Sequence, residues 1–270
     1  MTRIVFDIGG TNMRVARESS GAAGSLGEMK KVPTPQSQSE AFAALTDLIA
    51  EVSDGEPVTA IAGGVAGIIG PSGEIINSPN LPYWTGFTLG TRLEKKYSVP
   101  VRIANDTDLA GLGEAHRGAG QSATIVVYLG IGTGVGGTRI VDGSISRHTF
   151  GFEAGHQIMD VPSHATLESL IGGRSLETKH KTPPSKLPRN VWDELTPVLA
   201  TGIWNSIVHW SPQVVVLGGS LMNEENGFRI DDITQALSAI PSIYPALPYV
   251  RHSLLGEQSG LYGALTLVRH

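Results

Sequence analysis

Short apolar runs alternate with amphipathic stretches along most of this chain. The apolar runs are rich in β-branched residues, which is typical of buried strands, and they lie at residues 4–8, 58–62, 101–104, 123–129 and 214–217. Apolar residues spaced three or four positions apart predict helices at residues 40–52, 89–97, 109–116, 198–210 and 256–267. Residues 179–189 are rich in Lys and Pro and predict an exposed loop. This interleaving of strands and helices predicts an α/β fold.

The first strand runs into a turn of small residues. Asp7 ends the apolar run, Gly9, Gly10, Thr11 and Asn12 follow, and alternating apolar and polar residues then predict a second strand. Glycines let a backbone approach a ligand closely, and the N–H groups of such a turn can converge on an anion. A carboxylate next to phosphate needs a cation between them, so Asp7 adds Mg²⁺ to the expected nucleotide. An ordinary glycine-rich hairpin is the alternative.

A second copy of this layout lies in the other half of the chain. An apolar strand from Ala123 leads to Gly132, Thr133 and Gly134, and another strand follows. Two such turns in matching places predict two similar domains that face each other and clamp a phosphate chain. Gly132 to Gly137 also matches the dinucleotide pattern G-x-G-x-x-G, but that pattern requires a helix next, and residues 138–143 predict strand and turn.

Composition narrows the class of protein. The 270 residues carry a net charge of −5 without a Lys/Arg block, which argues against a nucleic-acid partner. No apolar run approaches 18 residues and no leader is recognisable, so we expect neither a membrane span nor secretion. The absence of cysteine excludes disulfides and thiolate metal sites and fits a cytoplasmic protein.

Asn105 and Asp106 follow a predicted strand and are the best candidates for acid–base chemistry. Phosphoryl transfer to an alcohol needs positioning, charge neutralisation and a carboxylate that accepts the hydroxyl proton. Asp106 could be that base while Asn105 orients the acceptor. The alternative is helix capping, and both can hold if Thr107 or Asp108 caps the helix.

Other polar candidates follow strands or lie in loops. Gly67 ends a glycine cluster that follows the strand at 58–62. Glycines at such a place either lie beside a bound ligand or allow close packing. Asn80 lies in a loop stiffened by prolines. Glu153 and His156 are three residues apart, as on one side of a helical turn, and Glu168 lies in a short predicted helix. A carboxylate and an imidazole suit vicinal sugar hydroxyls. They could equally be metal ligands or a surface pair.

Together these motifs resemble the ROK family of sugar kinases over nearly the whole chain. The residues that carry the resemblance are Asp7–Asn12, Pro79–Trp84, Asn105–Asp106, Gly130–Gly137, Glu153–His156 and Val216–Gly219. The resemblance implies two ribonuclease-H-like domains of the actin-like ATPase fold, with ATP and sugar in an interdomain cleft. We expect domains at residues 1–118 and 119–255, with the last helix, about 256–270, returning to the first.

The resemblance also implies a role for each candidate residue. Asp7 would lie near Mg²⁺, with water between them, and Asp106 would be the base. The nucleotide would be held by Gly9, Gly10, Thr11, Asn12, Gly132, Thr133 and Gly134, with Gly218 and Gly219 beside the adenosine. The sugar would be bound by Gly67, Asn80, Asn105, Asp106, Glu153, His156 and Glu168.

Two positions depart from the family pattern. ROK members typically follow the Gly-His pair with three cysteines that bind a structural zinc together with the histidine, whereas residues 157–167 are shortened and lack cysteine. No zinc site is therefore expected. Asp108 stands where the family more often has Asn, and its charge could raise the pKa of Asp106 if the two carboxyls are close.

The expected function is ATP- and Mg²⁺-dependent phosphorylation of a hexose or an N-acetylhexosamine, as in a glucokinase. The alternatives are a sugar-responsive regulator and an ATPase of the same fold. The repressors of the family resemble the kinases with an added N-terminal DNA-binding domain, and we expect no such domain here because the first strand starts by Arg3. A small-molecule sugar is the expected partner, and a homodimer is compatible with the sequence.

Overall fold

The computed structural model describes residues 2–269. The strands are β1 (Thr2–Ile8), β2 (Asn12–Glu18), β3 (Leu26–Pro33), β4 (Val58–Val65), β5 (Ile68–Ile69), β6 (Ile75–Asn77), β7 (Val101–Asn105), β8 (Ile125–Ile131), β9 (Val135–Val141), β10 (Ser144–Ile145), β11 (Ile158–Asp160), β12 (Ala165–Thr166), β13 (Val214–Gly218) and β14 (Tyr249–His252). The helices are α1 (Gln38–Ser53), α2 (Leu89–Tyr97), α3 (Asp106–Arg117), α4 (Leu167–Ile171), α5 (Gly173–His180), α6 (Arg189–Trp210), α7 (Ile230–Ser238) and α8 (Ser259–Leu267).

The chain divides into two compact units. The first contains residues 2–116, 148–151 and 258–269, and the second contains residues 117–147 and 152–257. The short segment 148–151 belongs to the first unit although its neighbours on both sides belong to the second. None of the helices within residues 2–269 has both the length and the apolar character that spanning a bilayer would require.

The first unit is built on a five-stranded sheet in the order β3-β2-β1-β4-β7. Strands β1, β2 and β3 are antiparallel neighbours, while β4 and β7 run parallel to β1. Ile8 pairs with Val65, and Val65 pairs with Asn105, so the three parallel strands end level with one another. The residues that follow these strands therefore meet at one edge of the sheet.

Burial of apolar residues explains this sheet and its helices. Ile4, Val5, Phe6 and Ile8 of β1 are all buried, as in a strand covered on both faces, and α1 buries Leu45 and Ile49. The side chain of Ser37 accepts a hydrogen bond from the Glu40 backbone N–H and caps this helix, as expected of a serine at that position.

The second unit repeats the arrangement. Its sheet has the order β10-β9-β8-β13-β14, in which β8 and β9 are antiparallel and β13 and β14 run parallel to β8. Gly130 of β8 pairs with Gly218 of β13, so the glycine-rich ends of these two strands are neighbours. The α/β prediction and the internal repeat are confirmed.

The longest helix is longer than the sequence pattern predicts. The prediction began it at residue 198, whereas α6 starts at Arg189 and continues through Pro197. Pro197 lies inside α6 and removes one backbone hydrogen bond of the helix. The extra turns offset this cost, because they bury Trp192, whose ring packs edge-on against Phe228 with centroids 5.1 Å apart. Tertiary packing thus overrides a local signal for loop structure.

Candidate active site

The carboxyl edge of β1, β4 and β7 brings predicted site residues of the first unit together. Asp7 pairs in register with Gly64, and Gly64 pairs with Ala104, directly before Asn105 and Asp106. A Cβ on Gly64 would lie 3.0 Å from the Cα of Asp106. Glycine at this position therefore lets α3 begin close against β4.

Asn105 organises the start of α3. Its Oδ1 accepts hydrogen bonds from the backbone N–H groups of Thr107 (2.8 Å) and Asp108 (3.1 Å), and its Nδ2 donates to the carbonyl of Gly67 (2.9 Å). The expectation that Thr107 or Asp108 caps a helix from residue 109 is wrong, because α3 begins at Asp106 and Asn105 supplies the capping oxygen. Asn105 thereby connects α3 to the loop at Gly67, which has a left-handed φ of 127°.

Asp106 is in a setting that disfavours its negative charge. Loss of hydration and the nearby charges of Asp7 and Asp108 raise the pKa of Asp106 to about 7, against opposing hydrogen bonds from Thr107. The predicted effect of Asp108 on this pKa is confirmed in direction. A carboxyl that titrates near neutrality is suited to accept a proton during catalysis at physiological pH.

Two side chains that sequence reasoning did not single out contact these carboxylates. Nη1 of Arg14, on β2 opposite Asp7, lies 3.4 Å from an Asp7 carboxylate oxygen. His148, in the short segment that joins the first unit, has its Nε2 3.2 Å from an oxygen of buried Asp108. The hairpin register could have indicated Arg14, whereas no local signal pointed to His148.

In the first glycine turn, the Gly9 and Thr11 carbonyls accept hydrogen bonds, while two N–H groups have no partner among residues 2–269. The Gly9 N–H donates to Asn12 O, and the Gly9 and Thr11 carbonyls accept from the side chain and N–H of Thr34. Among residues 2–269, no hydrogen bond is made by the N–H groups of Gly10 and Thr11. Asn80 closes one side, because a Cβ on Gly10 would lie 3.1 Å from the Asn80 Cβ. Such spare amides suit an anion.

The corresponding turn of the second unit has the same property. The Gly132 N–H donates to Gly134 O (2.9 Å), and the carbonyls of Gly132 and Thr133 accept from the N–H groups of Gly173 (2.8 Å) and Arg174 (3.0 Å). Within the described chain, the N–H groups of Thr133 and Gly134 make no hydrogen bond. The start of α5 therefore holds the carbonyl side of this turn, and its spare amides suit an anion as those of the first turn do.

Glu168 contacts the same turn. Its Oε2 accepts a hydrogen bond from the N–H of Val135 (2.7 Å), and a Cβ on Gly134 would collide with that carboxylate. The structure thus places Glu168 beside the predicted phosphate-binding turn. A backbone hydrogen bond orients it there.

Glu153 and His156 lie at either end of a short 3-10 turn, Ala154–His156, as the sequence predicted for a loop end or helix turn. Their side chains are exposed by 52% and 58%, with His156 Nε2 4.0 Å from a Glu153 carboxylate oxygen. A Cβ on Gly155 would collide with the carbonyl of Val135, so the turn lies against the start of β9. This strand start is also where Glu168 bonds.

Packing and backbone conformation require glycine at positions 218 and 219. A Cβ on Gly218 would collide with the Tyr128 hydroxyl, and Gly219 has a φ of 97° and lies against the backbone of Ile131. The adjoining Ser220 Oγ is 3.5 Å from the point where a Gly132 Cβ would lie. The structure thus brings this strand end next to the second glycine turn, while packing accounts for both glycines.

Within residues 2–269, no three His, Asp or Glu side chains are grouped in a way that could hold a metal ion. The site residues of the two units are instead acidic groups, spare backbone amides, and the amide and imidazole side chains of Asn80, Asn105 and His156. This chemistry suits a phosphorylated ligand with a cation and a polyhydroxy acceptor.

Comparison with known proteins gives a consistent picture. The sequence model of the ROK family matches residues 3–270. An uncharacterised protein of Clostridium perfringens is 30% identical, with 83% of each chain covered, and the N-acetyl-D-glucosamine kinase of Pectobacterium carotovorum is 27% identical, with 97% of each covered. The xylose repressor of Bacillus subtilis is 26% identical over 76% of this chain and 59% of its own length.

Solved structures show the same fold. The ROK hexokinase of Thermus thermophilus superposes with a TM-score of 0.82 at 25% identity, covering 100% of this chain and 98% of its own. A ROK family glucokinase of Streptomyces griseus, in complex with glucose and AMPPNP, gives a TM-score of 0.84 at 24% identity, covering 100% and 99%. The expected fold class, the two-domain actin-like ATPase fold, is confirmed.

Proposed function

Because this chain belongs to the ROK family, we propose that it is a sugar kinase that transfers the γ-phosphoryl group of ATP to a hydroxyl of a hexose or an N-acetylhexosamine. Characterised relatives support the class of reaction, since they include an N-acetyl-D-glucosamine kinase, a fructokinase and glucokinases. The observation that carries the proposal is the Asp106 carboxyl, whose pKa is raised to about 7 at the edge of the first sheet. A sugar-binding regulator needs no such base, and an ATPase would use it on water in place of a sugar hydroxyl.

Asp106 would act as the general base. As the sugar oxygen bonds to the γ-phosphorus, the bond from that phosphorus to the leaving oxygen of ADP breaks, and the hydroxyl proton passes to the Asp106 carboxylate. The products are a sugar phosphate and ADP, and Asp106 releases its proton to water. The hydrogen bonds of Asn105 to Gly67 and to the start of α3 would hold this carboxyl in position.

The spare N–H groups of Gly10, Thr11, Thr133 and Gly134 would bind ATP phosphates. The residues around Asp7 also fit Mg²⁺. The negative charge of Asp7 raises the pKa of Asp106, and a cation beside Asp7 would offset that charge. We assign Asp7 to the ion, through water. When bound, Mg²⁺ neutralises charge that develops on the phosphates during transfer.

Glu153, His156, Glu168 and Asn80 would bind sugar hydroxyls. The exposed pair at 153 and 156 offers a carboxylate and an imidazole, and Glu168 retains one carboxylate oxygen beyond its bond to Val135. These groups recognise hydroxyls that many hexoses share. Glucose and N-acetylated hexosamines are therefore the first acceptors to examine.

The test is an ADP-release assay with ATP and Mg²⁺ across hexoses, hexosamines and N-acetylated sugars. We expect sugar-dependent ADP release, and a kcat at least about 100-fold lower in Asp106→Asn. Asp47→Asn, an exposed aspartate on α1, is the matched control and should retain full turnover. ADP release that ignores every sugar would indicate an ATPase, and sugar binding without transfer would indicate a regulator. Either result would refute the kinase proposal.

A further inference from the structure

The turn that carries Glu153 and His156 has few anchors of its own. It is a three-residue 3-10 turn, and the His156 N–H donates to Glu153 O (2.9 Å). The two exposed side chains contact each other only at 4.0 Å within the described residues. The hydrogen bonds of short 3-10 segments have poorer geometry than those of an α-helix, so contacts with neighbouring elements contribute to holding this turn.

Gln157, the next residue, makes three side-chain hydrogen bonds. Its Nε2 donates to the carbonyl of Ala154 inside the turn (2.8 Å) and to the carbonyl of Gly202 on α6 (3.2 Å). Its Oε1 accepts from Nδ2 of Asn205, one helical turn along α6 (2.8 Å). The backbone carbonyl of Gln157 also accepts from the Leu167 N–H at the start of α4 (3.1 Å).

We propose that Gln157 is a positioning residue that fastens the Glu153–His156 turn to α6. The inference rests on the proposed function for its effect on sugar binding. The two donors and one acceptor of a single carboxamide match the two carbonyls and one amide that face it.

The surrounding packing shows why one side chain can fix the whole segment. A Cβ on Gly202 would lie 2.6 Å from Leu167, so α6 and the start of α4 are in close contact. Gln157 lies between the turn, α6 and α4. Any displacement of its carboxamide would therefore loosen the Glu153 and His156 side chains.

The test compares Gln157→Glu, Gln157→Ala and Asn205→Ala, with the exposed Gln235→Glu on α7 as the matched control. Gln157→Glu places a carboxylate against two carbonyl oxygens, so we expect amide hydrogen exchange at residues 154–158 to accelerate about tenfold or more. The KM for the sugar should rise about tenfold, with the KM for ATP unchanged. Asn205→Ala should have a smaller effect, and combining it with Gln157→Ala should add little.

Three results would overturn the proposal. They are unchanged exchange at 154–158 in both Gln157 variants, an equal rise in both KM values, and faster exchange after dialysis of the parent protein against a chelator. The last would show that a metal holds the segment. The exchange measurement needs no substrate, so it decides the role of Gln157 even if no sugar is phosphorylated.

Discussion

Replacing Asp106 by Asn should stabilise the protein while it removes activity. The ordinary pKa of an aspartate is near 3.8, and burial together with Asp7 and Asp108 raises that of Asp106 to about 7. A group whose pKa is higher in the folded state binds its proton more tightly there, so folding loses stability as the pH rises from about 4 to about 7. The raised pKa of Asp106 therefore lowers the free energy of unfolding by about 2 kcal/mol at pH 5 and by about 4 kcal/mol at pH 8, relative to a group whose pKa is unchanged by folding.

Asn cannot ionise, and its Oδ1 can still accept the hydrogen bond from Thr107, so the variant should escape this cost. We expect the free energy of unfolding of Asp106→Asn to exceed that of the parent by about 2 kcal/mol at pH 5 and by about 4 kcal/mol at pH 8. Urea titrations at both pH values measure the difference, with Asp47→Asn as the control. A difference that is absent, or that does not grow with pH, would refute the charged-state argument.

Three further predictions address other contacts. Asp108→Asn removes a charge that raises the pKa of Asp106, so the acid limb of kcat/KM against pH should move to lower pH; a shift to higher pH would contradict this. Gly134→Ala would press a Cβ onto the Glu168 carboxylate, so calorimetry should show ADP binding about tenfold weaker. The effect should be smaller in a Glu168→Ala background. Equal losses of ADP affinity in both backgrounds would argue against the contact. Glu18→Gln removes the ion pairs of Glu18 with Arg3 and Arg269, around a carboxylate that is 9% exposed and whose pKa is lowered. The free energy of unfolding should fall by about 1 kcal/mol at pH 7, and by less as the pH falls below about 4. A loss of stability that is independent of pH would contradict the ion-pair explanation.

Local patterns were sufficient for much of the fold. The run from Ile4 to Ile8 is apolar and rich in β-branched residues, glycines follow it, and the structure forms a strand and a hairpin there. The second copy of this layout, around Gly132, could be predicted as well, because the apolar pattern of a strand and a glycine turn are properties of adjacent residues. Helices α5 and α7 were not predicted, since short segments of mixed polarity have weak periodicity.

The candidate site was predicted as a set of residue types but not as a set of contacts. Asn105 was expected to orient the acceptor, and the structure shows its carboxamide bonded to Gly67 and to the start of α3. His148 lies forty residues from Asp108 and meets it only because residues 148–151 join the first unit. A contact between residues so far apart in the chain cannot be predicted from a local pattern.

The sequence by itself determined the α/β class, the two glycine turns and the acidic residues that follow the strands, because each of these depends on neighbours in the chain. Tertiary structure alone decided the charge state of Asp106, the bond of Glu168 to Val135 and the anchoring of the Glu153 turn by Gln157. Those features depend on burial and on hydrogen bonds between distant residues. Both arise only when separate strands and helices pack against one another.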